Sequence, residues 1–120
     1  MRQNWRSVTV PVRSGDSLIH SGEAPVPDLL KADTQGFEFE LLKGVEANLP
    51  RIKVLLLETW LSRGYGPATP LLAELIEWLG DRGFVLADFG DGYRDASGLM
   101  RSVDAFFLHK DVALKTGFTV

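Results

Sequence analysis

Leu29-Leu30-Lys31-Ala32-Asp33-Thr34-Gln35-Gly36-Phe37-Glu38-Phe39-Glu40-Leu41-Leu42-Lys43-Gly44 decides the fold of this 120-residue chain. A short apolar run, bounded by Pro27-Asp28, ends on an acid, and a glycine turn follows. An amphipathic segment then starts at once. Phe37, Leu41 and Val45 recur every four residues with Leu42 beside them, so one helical face is apolar. This is the grammar of a parallel strand feeding a helix, with polar residues left at the strand's carboxyl end, where open α/β sheets bind ligands. Thr34 or Asp33 is placed to cap the helix, whose first N–H groups need an oxygen acceptor, and Gly44 to end or bend it.

Downstream, Ile52 to Leu57 is a second continuous apolar run with Glu58 at its end, as Asp33 stands in the first. Such runs suit strands covered on both faces. Thr69-Pro70 predicts a helix start, with Thr69 as cap and Pro70 in the first position. Leu71, Leu72, Leu75, Ile76 and Leu79 form its apolar stripe and Gly83 closes it. Phe84–Phe89 and Val103–Leu108 read as two more strands, joined through Gly90-Asp91-Gly92. Upstream, Val8–Val12 reads as a short extended piece, and Arg13–Pro27 as loop with one helical turn at Asp16–Ile19. The order strand, helix, strand, helix, strand, strand predicts an α/β layer whose last two strands pair antiparallel.

Composition narrows the function classes. The chain carries 45% hydrophobic and 24% charged residues, near the globular average, and its length suits one domain. A net charge of −3, with thirteen scattered Lys and Arg, gives no electrostatic reason to expect nucleic acid or an anionic membrane. There are no cysteines, which removes disulfides, thiolate nucleophiles and cysteine zinc sites. The longest apolar run, Val54–Leu57, falls far below the roughly 20 residues that span a bilayer. A cytoplasmic protein is the expectation.

The run Leu30-Lys31-Ala32-Asp33-Thr34-Gln35-Gly36-Phe37-Glu38-Phe39-Glu40-Leu41-Leu42-Lys43-Gly44, followed by Val54-Leu55-Leu56-Leu57-Glu58, resembles the carboxyl-terminal half of the FkbM-family methyltransferases, which use S-adenosylmethionine. The resemblance implies the carboxyl-terminal half of a Rossmann-like sheet with its last strand antiparallel. Residues 1–27 would be the lead-in, 28–110 the α/β core and 111–120 a tail. It implies Asp33, Glu58 and Glu38 as catalytic candidates, and Asp33, Gln35 and Gly36 beside the cofactor. The acceptor it implies is a small molecule or glycan carrying a hydroxyl.

Each residue also has a structural reading. Asp33 can merely cap the helix, Glu38 can merely favour the helix dipole, and Glu58 can bond loop amides. If Asp33 and Glu58 stand side by side, one pKa can rise enough for general-base work.

The family's acid followed by a Gly-x-Gly loop, which cradles the cofactor's methionine part, has no counterpart in this sequence. Gly64-Tyr65-Gly66 and Gly90-Asp91-Gly92 read as turns. The expectation is therefore an incomplete domain that binds the cofactor poorly alone. It would associate with itself or with an amino-terminal half through the open edge of its first strand. A phosphoryl-accepting role for Asp33 is disfavoured, because Asp33-Thr34-Gln35 lacks a paired second acid.

Overall fold

In the computed structural model, residues 4–118 are described. Four strands form one mixed sheet in the order β1-β2-β4-β3. β1 (Leu29–Ala32) runs parallel to β2 (Val54–Trp60), with Ala32 level with Leu57. β4 (Met100–His109) inserts between β2 and β3 (Phe84–Arg94) and runs antiparallel to both. The α/β class and the antiparallel last strand agree with the sequence reading.

α2 (Glu38–Lys43) and α3 (Leu72–Gly80) cover one face of the sheet, bringing Leu42, Leu72, Leu75 and Leu79 onto Leu55, Leu57, Ala105 and Phe107. β2 alternates accordingly. Leu55, Leu57 and Thr59 are fully buried, whereas Val54, Leu56, Glu58 and Trp60 point to the opposite, partly covered face. This corrects the expectation of a strand buried on both sides, because α2 and α3 bury their leucines against the Leu55–Leu57 face.

Several local expectations are also corrected. Val8, Val10 and Val12 join no strand and are exposed. Neither Asp33 nor Thr34 caps α2, whose N-cap is Phe37 without a side-chain bond. Thr69 does not cap α3 either. The N-cap is Leu71, and Glu74 Oε1 accepts its N–H at 2.9 Å, while buried Thr69 accepts the Tyr65 N–H at 3.0 Å. Ile76 is 39% exposed, so it lies off the buried stripe.

Gly83 adopts φ +84° beyond the helix's C-cap at Asp81, turning the chain into β3. Gly90-Asp91-Gly92 is no connection: β3 runs on through it with register shifts, and the turn falls at Asp95–Leu99. That turn is organised by Asp95, which accepts from the N–H groups of Ser97 and Leu99 and from Arg101 Nε.

Before the sheet, α1 (Gly15–His20) realises the predicted turn, with Ser14 Oγ accepting the Ser17 N–H. A 3₁₀ helix at Glu46–Arg51 buries Leu49 under the β1–β2 crossover. α4 (Lys110–Lys115) occupies part of the predicted tail, capped by His109. No described helix is long and apolar enough to cross a membrane.

Candidate active site

The pairing of Ala32 with Leu57 makes Asp33 the next residue on one strand and Glu58 the next on its parallel neighbour. The two acids therefore meet at the carboxyl ends of β1 and β2, as the residue pattern predicted. Glu58 is not the strand's last residue, however; the ladder continues to Trp60, because β4 supplies partners Asp104, Val103 and Ser102. Asp104 thus stands directly across from Glu58, a like-charged pair that antiparallel sheets normally avoid.

Glu38 is where the structure departs most from the sequence reading. Its side chain is fully buried. Oε1 accepts the Thr34 N–H at 3.0 Å and Oε2 the Gly36 N–H at 3.1 Å. The acid in the first turn of α2 therefore reaches back to clasp the Asp33–Gly36 turn. Gln35 at φ 55° and Gly36 at φ 98° place two successive residues in the left-handed region, and that clasp holds them there. A Cβ on Gly36 would stand 3.0 Å from Tyr65 Cβ, so the turn is also in contact with the loop after β2.

Burial raises the Glu58 carboxyl to about 7, helped by the adjoining Asp33 and by the charges of Glu38 and Asp104. Glu58 Oε2 is buried and accepts no hydrogen bond from a described residue. No described cation forms an ion pair with Asp33, Glu38, Glu58 or Asp104. A proton held between Asp33 and Glu58 satisfies the pair; its loss leaves two adjacent charges.

The sign follows. Because the folded-state pKa is raised, this stabilisation is complete below about pH 4.5 and lost as pH rises through about 7. Glu58→Gln replaces the titrating proton with a permanent donor. It is expected to be more stable than the parent by about 1–2 kcal/mol at pH 8, after discounting for solvent screening. At pH 4, below the unfolded value, the difference should vanish. Urea midpoints of both proteins across this range check it, and a constant difference would contradict it.

Asp104, Trp60 and Tyr65 belong to the same neighbourhood and escaped the sequence reading. An acid inside the apolar run Val103–Leu108 was the available signal for Asp104. Trp60 follows Glu58 by two positions and shares its face, and the Tyr65 ring meets it edge-on at 4.9 Å. A separate groove of about 370 Å³, lined by Val12–Gly15, Phe37, Glu40, Leu41 and Gly44, includes none of the acids of this cluster.

An open α/β sheet with acids gathered at adjacent strand ends is the architecture of Rossmann-like methyltransferases, here in part. The methyltransferase FkbM domain matches residues 3–86, and the chain belongs to that family. It is also 37% identical over 68 residues to the hexuronic acid methyltransferase AglP of Haloferax volcanii. That match covers 57% of this chain but only 28% of the relative's length. No solved structure matches the chain.

Proposed function

We propose that this chain forms the acceptor-side wall of an S-adenosylmethionine-dependent O-methyltransferase, with a small molecule or sugar as methyl acceptor. The observation that carries the reading is the Asp33–Glu58 pair, set at the ends of parallel neighbours with an unbonded buried oxygen. A carboxyl raised to about 7 can take up the proton that an acceptor hydroxyl sheds. Asp33 orients that carboxyl and Glu38 fixes the turn that carries Asp33. Family membership, and a relative that is a hexuronic acid methyltransferase, support a sugar-like acceptor.

The described residues do not fit the whole methyl donor. Asp33, Gln35 and Gly36 offer one edge of a site. A Cβ on Gly64 would collide with the Trp60 ring, so Trp60 fills the space beside the first glycine pair. Gly92 lies within β3, where a Cβ would stand 2.9 Å from Met100 Cε. In the first pair the N–H groups of Gly64, Tyr65 and Gly66 already donate within the loop, and the second pair lies within a strand rather than in a loop before a helix. On its own the chain is therefore expected to be catalytically silent.

β1 has one unpaired edge among the described strands, and Leu29 on it is 50% exposed. Such an edge recruits another strand. We take it as the surface for self-association, or for a segment carrying the remainder of the donor site.

Calorimetric titration with S-adenosylmethionine and S-adenosylhomocysteine, paired with light scattering, tests this reading. Expected are no binding tighter than about millimolar, for want of the cradle's contacts, and concentration-dependent association. Micromolar affinity in a clean monomer would overturn it.

A further inference from the structure

The loop after β2 is built to hold one aromatic ring in place. Arg63 Nη1 donates to Thr69 O at 2.7 Å and to Glu74 Oε1 at 2.8 Å, tying the loop to the start of α3. Inside that brace, buried Thr69 accepts the Tyr65 N–H, and Tyr65 Cβ lies against Gly36 of the Asp33 turn. Trp60 fixes the Tyr65 ring from the side in an edge-on contact. Gly64 is required there, because any Cβ would strike the Trp60 ring. Even so, half of Tyr65 remains exposed. Its surroundings are also distinctive: its phenol pKa is raised by partial burial and by the charges of Glu58, Asp33 and Glu38.

We propose that Tyr65 is the specificity-determining wall of the acceptor site, stacking on the C–H face of a neutral polyhydroxylated ring and setting one of its hydroxyls against Asp33 and Glu58. This deepens the methyltransferase reading and rests on it. The class of ligand follows from two properties. A rigid, half-exposed aromatic face offers apolar area at little entropic cost. Four carboxylates without an ion-paired cation among the described residues repel an anionic acceptor. A sugar ring with uncharged substituents meets both conditions, whereas a uronate meets only the first.

The test uses the full chain without any methyl donor, with methyl α-glucopyranoside and methyl α-glucuronoside as probes. Saturation-transfer and titration NMR at pH 8 read the affinities. The neutral glycoside is expected to bind in the millimolar range, with saturation passing through the Tyr65 ring. Tyr65→Ala should weaken it about fivefold, the scale of one lost aromatic contact, while Tyr65→Phe stays within about twofold. The glucuronoside should bind at least about fivefold more weakly, and Glu58→Gln should narrow that gap. Urea midpoints of the Tyr65 variants verify that each is folded. Equal affinity in Tyr65→Ala, preference for the glucuronoside, or no binding by the parent would overturn the proposal. With no donor present, those failures are distinct from failure of the methyltransferase reading, which the donor titration addresses.

Discussion

Glu38→Ala is expected to destabilise the fold by about 2–4 kcal/mol, as large as many core truncations. Glu38 is fully buried, yet it sits in the first turn of a surface-facing helix and belongs to an acidic cluster. Removing it leaves the Thr34 and Gly36 N–H groups without their acceptor and opens a void beneath the turn. Gln35 and Gly36 then lose what holds them at positive φ. Glu38→Gln keeps the shape and one acceptor oxygen but turns an NH2 toward a backbone donor, at a cost of about 1–3 kcal/mol. Both variants should also lower the Glu58 pKa, since Glu38 is one of the charges raising it. Urea denaturation gives the first effect, and carboxyl NMR titration of Glu58 the second. An unchanged midpoint for the alanine variant would show that the clasp contributes nothing.

Phe107→Ala should cost about 3–5 kcal/mol. Phe107 is fully buried at the centre of β4, level with Leu55 on one side and Leu86 on the other. Its ring is therefore a shared wall for both halves of the sheet, and the cavity left behind cannot close from either. The adjacent Phe106, on the partly covered face, serves as the control, with a loss of about 1 kcal/mol from the smaller area removed from water. Equal losses at the two positions would contradict the one-sided core.

The contrast shows what the residue pattern could and could not carry. Apolar runs and four-residue spacings are local, and they placed β1, α2, β2 and α3 within a few residues. Asp33 and Glu58 were legible together for the same reason: a parallel pair puts its strand-end acids at one edge. Glu38 was not legible as a clasp, since an acid in a first helical turn reads as a partner of the helix dipole. Which backbone groups it meets depends on how tightly the preceding turn folds back. Gly90-Asp91-Gly92 reads as a turn by composition, but pairing with β4 draws it into a strand. Asp104 and Tyr65 reach the acids only through long-range pairing and loop closure.

The insertion of β4 between β2 and β3 also sets a schedule. Those two strands share no ladder with each other, so they are joined only by a strand made after both. A nascent chain that has not yet released Met100–His109 carries the β1–β2 pair and an unpartnered β3, and Asp104 has not yet come up against Glu58. Assembly of the sheet, and with it the charge pattern around the acid pair, therefore follows the release of β4 rather than of β2 or β3.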